Sequence, residues 1–266
     1  MSCKAGMNRL TRLFYYIWCT MTISFDTVLS QNPSIVDGLK AFTAKGKSAI
    51  YGLSGSQKSF LLSRAISSDQ VGPTIIVVHD KEHKEMWERD LAFFWPHIEV
   101  LSFPITDRVD FTTVARSLEN QGNQMRALSQ LAWQKPVVVI ANAEEASQYV
   151  VSPQYLKHAS VYIELSQTIE RDVLLETLVH IGYERVDQVE QRGHFAVRGD
   201  ILDIYPVNSD KPIRIEFFGD EVDTMRYFSI ESQRSTEQID SYTITPFYIN
   251  DTESNSTLLS YAAEGL

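Results

Sequence analysis

Cysteine is scarce: 266 residues contain two, Cys3 and Cys19, both within the first twenty positions. No disulfide framework can hold the body of such a chain together, which fits a reducing cytoplasm. Basic residues are also in deficit, 24 Lys and Arg against 34 Asp and Glu, for a formal net charge of −10. That balance argues against generic coating of DNA, which needs a basic surface to displace counterions from phosphate. A small basic patch for one specific partner is still allowed. The apolar stretch Leu13–Cys19 follows Lys4, Arg9 and Arg12 in the manner of a signal peptide. It is short, runs into polar Thr20 and Thr22 without a small-residue cleavage site, and cannot span a bilayer. Residues 1–23 are therefore expected to be an extension or an early-called start, with Met21 opening the folded protein and no membrane partner.

What is present is a soluble, globular composition, 44% hydrophobic and 22% charged, long enough for about two domains. The first part alternates helices and strands. Helical spacing covers Ile35–Lys45, Lys81–Trp95 and Asn120–Trp133, and continuous apolar runs mark strands at Ser48–Tyr51, Thr74–Val78, Ile98–Phe103 and Pro136–Ala141. That rhythm predicts a parallel α/β layer over 24–151. Near Ser152-Pro153 the pattern changes. A strand at Val161–Leu165 and a helix at Glu170–Ile181 precede Phe195–Val197, Ile201–Tyr205, Ile213–Phe218 and Thr224–Ile230, which are short and divided by tight turns. They predict an α+β module with an antiparallel sheet over 152–235, leaving 236–266 as a shortened return segment and tail.

One glycine is missing from a place that calls for it. Gly52-Leu53-Ser54-Gly55-Ser56-Gln57-Lys58-Ser59 follows a strand-like run and leads into a helix. In the phosphate-binding pattern G-x-x-x-x-G-K-[ST], backbone N–H groups wrap the phosphates and the lysine reaches them. Gly52, Lys58 and Ser59 keep their places, but Gln57 stands where the second glycine belongs. A side chain there crowds the phosphates and resists angles that glycine adopts freely. The loop (Gly52, Gly55, Gln57, Lys58, Ser59) reads as vestigial. No acidic pair ends a buried strand to hold Mg²⁺, since Ile75–Val78 runs instead into His79-Asp80-Lys81.

Other chemistry has little support. His79 and His83 share the spacing of metal ligands but lie among solvated charges at a helix start, with no third ligand. No nucleophile–base pair is identifiable, so no catalytic residue, cofactor or metal is expected. The segment Gly182–Phe228 is richer. Arg185, Arg192, Arg198, Arg214 and Arg226 run through it, against the acidic trend of the chain. Around Gly199, and again in Ile213-Arg214-Ile215-Glu216-Phe217, apolar and polar residues alternate, so one sheet face can be buried while Arg198, Arg214 and Glu216 point outward. Such a face is by default solvated. Arginine's planar fork also suits an acidic partner surface.

Together Gly52–Ser59, Gly182–Val189, Arg198–Pro206 and Ile213–Asp223 resemble the N-terminal region of the bacterial transcription-repair coupling factor (Mfd), itself similar to the excision-repair protein UvrB. The resemblance spans about Ser24 to Ile249. It implies a RecA-like parallel-sheet domain with a degenerate P-loop, then an α+β domain like domain 2 of UvrB that binds the damage-recognition ATPase UvrA. Carried over by position, the UvrA-contacting residues are Arg185, Arg198, Arg214 and Glu216. UvrB-like chains tend to carry a further arginine at the position of Ala196. The family's polymerase-binding and translocase modules have no counterpart here, so RNA polymerase is expected as a partner only through such modules, and DNA contact is expected to be weak at most. The function implied is a non-catalytic, UvrA-recruiting module of transcription-coupled nucleotide excision repair. The alternative is a truncated UvrB-like, ATP-dependent DNA-binding enzyme.

Overall fold

The computed structural model describes residues 49–65, 72–105, 118–247 and 256–263. By internal contacts the chain divides into two compact units, residues 1–70 and 71–266. In the first unit one helix is described, α1 (Gln57–Ala65). Ala49–Tyr51, expected to belong to a strand, adopt no regular secondary structure, and Tyr51 is 89% exposed. A strand needs a neighbour for its N–H and C=O groups, and the described residues of this unit supply none. The helix expected over Ile35–Lys45 and the extension 1–23 lie outside the described residues.

The second unit opens with a three-stranded parallel sheet. Its strands are β1 (Thr74–Val78), β2 (Glu99–Ser102) and β3 (Val137–Asn142), in the order β1-β3-β2. β3 is central, and Val137–Ala141 are all buried because helices cover the sheet. This is why the strand is apolar without alternation. Helix α2 (Lys81–Phe94) is capped by Asp80, whose carboxylate accepts the His83 N–H at 2.9 Å. Helix α3 (Leu118–Ala132) packs on β2 and β3. A capping box of Asn142 and Glu145 starts α4 (Ala143–Ser147). Lys84, buried on α2, donates to Glu145 Oε2 and to the Phe103 carbonyl, both at 2.8 Å, tying the carboxyl ends of β2 and β3 together. Ser152 and Pro153 begin α5 (Pro153–Ala159), which packs against α3.

From Val161 the chain builds antiparallel structure. Strand β4 (Val161–Glu164) leads to helix α6 (Arg171–His180). Then come β5 (Glu184–Arg185), β6 (His194–Arg198), β7 (Ile201–Ile204), β8 (Ile213–Phe218), β9 (Glu221–Phe228) and β10 (Ser235–Gln238). These six form one sheet in the order β10-β9-β8-β7-β6-β5, antiparallel except for the β5–β6 pair. Strand β11 (Ser241–Ile244) returns to pair with β4, Val161 opposite Ile244. Alternate residues Phe195, Leu202, Ile204, Ile213, Ile215 and Phe217 form the inner face with Leu174 and Leu178 of α6. Tyr183 lies in this core, donating to the Thr245 carbonyl and accepting the Val207 N–H, and burial pushes its phenol pKa up. Beyond the module the chain rejoins the α/β layer. Val150 bridges to Ser256, α7 (Leu258–Ala263) packs on α3, and Tyr261 donates to the Val151 carbonyl. The antiparallel module is thus inserted into the α/β layer.

Candidate functional site

The outer face of the six-stranded sheet is assembled by register. One cross-strand row runs Ala196–Asp203–Arg214–Arg226, and the next runs Arg198–Ile201–Glu216–Thr224. Residues opposite one another across a pair share a face, so Arg198, Arg214 and Glu216 point to the same side. The sequence alternation on β6 and β8 is realised there.

The two rows differ in what covers them. Asp203 is buried, and its carboxylate takes a bidentate grip from Arg214, Nε to Oδ1 at 2.7 Å and Nη2 to Oδ2 at 2.8 Å. The remaining Nη1 donates to the Gln233 carbonyl, and the guanidinium stacks 4.9 Å from the Phe228 ring centre. The hydrogen bonds to Asp203 hold the Arg214 pKa above its ordinary value. Phe228 belongs to a small cluster with Val189, Ala196 and the partly buried Tyr205 on this outer side. Ala196 is buried, so the arginine that UvrB-like chains tend to carry there has no room while Val189 stays in place. Arg214 is therefore fixed inside a structural ion pair.

The second row is open. Arg198 is exposed, with Nη2 donating to the Asp187 carbonyl at 2.7 Å and no carboxylate partner among the described residues. Glu216 is half-buried beside Ile201 and Thr224, and the Thr224 hydroxyl has no hydrogen-bond partner among the described residues. Arg198 precedes the two-residue turn Gly199-Asp200, and an equivalent turn, Gly219-Asp220, joins β8 to β9. In each only the glycine has positive φ, 59° and 62°, the pattern of a II′ hairpin with glycine first. Arg171 at the start of α6 donates to the Gly199 carbonyl at 2.8 Å and reaches Asp200 at 3.3 Å, which secures the turn beside Arg198.

The structure does not bring every expected residue to this row. Arg185 is exposed on the two-residue edge strand β5, and its partner is core-facing Phe195. By register it falls on the helix side of the sheet. Arg192 turns toward the α/β layer, where Nη2 meets Asp210 at 3.0 Å, and Arg126 of α3 meets both Asp210 and Glu99. Arg226 lies directly across from Arg214 on the outer face, a place that only the strand register reveals.

In the first unit the loop occupies itself. Gly52 and Gly55 have φ of 82° and 52°. The Gln57 N–H donates to the Ser54 carbonyl at 3.2 Å, and Gln57 Oε1 accepts the Ser54 N–H at 3.0 Å. One N–H of the would-be phosphate cradle is thereby consumed by the side chain that replaces glycine. Ser59 is buried with its hydroxyl donating to the Ser56 carbonyl, while Lys58 is exposed. Among the described residues no group of three His, Cys, Asp or Glu is placed to hold a metal, and no helix is long and apolar enough to cross a membrane. The His83 ring contacts Asp80 at 2.8 Å.

Comparison with known proteins gives this geometry a family. Residues 161–248 match the model of the UvrB interaction domain. The transcription-repair-coupling factor of Bacillus subtilis (strain 168) is 30% identical over 213 residues, 80% of this chain and 18% of the relative. That of Escherichia coli (strain K12) is 26% identical over 68% of this chain and 16% of its own length. UvrABC system protein B of Gloeothece citriformis (strain PCC 7424) is 30% identical over 74% of this chain and 31% of its own length. The chain thus spans less than a fifth of those coupling factors and about a third of that UvrB protein. A mixed α/β chain with an inserted antiparallel sheet, bearing a UvrB interaction domain, is related to the N-terminal region of the bacterial transcription-repair-coupling factors.

Proposed function

We propose that this chain is a non-catalytic docking module of nucleotide excision repair that recruits UvrA through the outer face of its six-stranded sheet. The observation that carries the reading is the open row Arg198–Ile201–Glu216–Thr224 inside a UvrB interaction domain. Arg198 offers an uncompensated fork to a partner carboxylate, and Glu216 offers the opposite charge two strands along, beyond Ile201, which fixes orientation as well as attraction. Arg214, already gripped by Asp203 in the neighbouring row, shapes the local field. Arg185 contributes from the sheet's edge, as a peripheral contact. The preceding α/β layer is read as a RecA-like domain whose phosphate loop is silent, because Gln57 occupies part of its own cradle.

Calorimetric titration of the purified chain into UvrA tests the reading. Saturable binding is expected, and Arg198→Glu should weaken it by about 2 kcal/mol or more. The melting temperature should stay unchanged, because the side chain is exposed. No binding by the wild-type chain at low micromolar concentration would overturn the proposal. Tight Mg-ATP binding that Lys58→Ala abolishes would instead favour an ATP-dependent enzyme.

A further inference from the structure

The geometry points to Phe218 as the apolar anchor of the docking face, inserting into an apolar pocket of the partner that is rimmed by carboxylates within reach of Arg198. This inference rests on the proposed UvrA docking. Phe218 ends β8 at the β8–β9 turn and is 81% exposed. Strand β8 is not itself bulged, because the register shift adds a residue on β9: Glu216 pairs with Thr224 and Phe217 with Val222. Alternation along β8 therefore continues from Arg214 through Glu216 to Phe218, all on the outer side, while Phe217 is buried. With strands spaced about 4.8 Å apart, Phe218 and Arg198 stand on the order of 10 Å apart on one surface.

Single exposed apolar residues are ordinary on protein surfaces. Two features set Phe218 apart from Val179 on α6, which is 57% exposed and lies away from this face. First, its backbone is pinned. Phe217 N–H donates to the Asp200 carbonyl at 2.9 Å and Ile169 N–H to the Asp220 carbonyl at 2.8 Å, while Thr168 bridges to Glu221. The same segment carries Arg171, which secures the turn after Arg198. Both tips are thus positioned by one stretch of chain, and little ordering remains to be done on binding. Second, Phe218 shares one face with an uncompensated arginine, and aromatic and arginine side chains are enriched in the water-excluded centres of protein interfaces. The charge of Arg198 demands acidic groups around the pocket, so the partner surface is apolar at its centre and acidic at its rim.

The test measures UvrA affinity for the wild-type chain, Phe218→Ala, Phe218→Leu, Val179→Ala and Arg198→Glu at low and high salt, with melting curves for each. Phe218→Ala is expected to weaken binding at least tenfold at both salt concentrations, since apolar burial is not screened. Phe218→Leu should stay within about threefold of wild type, Val179→Ala should match it, and the Arg198→Glu effect should shrink at high salt. If Phe218→Ala binds like wild type while Arg198→Glu does not, the anchor is refuted and the docking face stands. If the wild-type chain does not bind UvrA, both fall together.

Discussion

The three-stranded parallel sheet and the six-stranded sheet of the second unit spend their side chains differently. In the parallel sheet, β3 is buried on both faces from Val137 to Ala141, so nothing on it is available to a partner. In the six-stranded sheet α6 covers only the inner face, and the outward residues Arg198, Glu216 and Phe218 are left partly or fully exposed. The open part of the outer face is where a charged pattern can vary without disturbing the core.

The contrast is sharpest between neighbours in sequence. Ile215→Ala should cost about 2–5 kcal/mol by transfer and cavity terms, because Ile215 is fully buried. Glu216→Ala, one residue on and facing outward, should stay within about 0.5 kcal/mol in the same urea titration. Similar losses for the two would erase the distinction between faces. The next test concerns the covered row. Asp203→Ala removes the carboxylate beneath Arg214 and leaves a half-buried guanidinium unpaired, with an expected cost of about 3 kcal/mol. The double variant Asp203→Leu/Arg214→Met should recover much of that stability while reducing UvrA affinity. A smaller effect is expected for Ala196→Arg. It must displace Val189 from the outer cluster, at about 1–3 kcal/mol in thermal or chemical melting. An unchanged stability would show that the segment over Ala196 yields easily and that the face is wider than its resting geometry.

Strands with strong apolar patterns were legible in the sequence. Thr74–Val78 and Ile213–Phe218 fall where the pattern placed them, and Lys81–Trp95 and Glu170–Ile181 are shorter by one and two residues. Strands β10 and β11 were not, because Ser-Thr-Glu-Gln and Ser-Tyr-Thr-Ile carry little apolar signal and owe their state to β9 and β4. The short helices α4, α5 and α7 are similarly set by caps and packing more than by periodicity. The burial of Lys84 carries no sequence signal, since it depends on α2 meeting Glu145 and the Phe103 carbonyl. On the outer face, alternation gave the sidedness of Arg198, Arg214 and Glu216. It could not give the Asp203–Arg214 pairing or the orientation of Arg185, since both depend on the register between strands.

The pairing of Val161 with Ile244 has a practical meaning. The chain enters and leaves the antiparallel module at adjacent points, about 5 Å apart across one strand pair. A module whose two ends nearly touch can be spliced into a surface loop of an unrelated host, or removed from its own, without stretching either backbone. The antiparallel module is, in that sense, a portable cassette carried by the α/β layer.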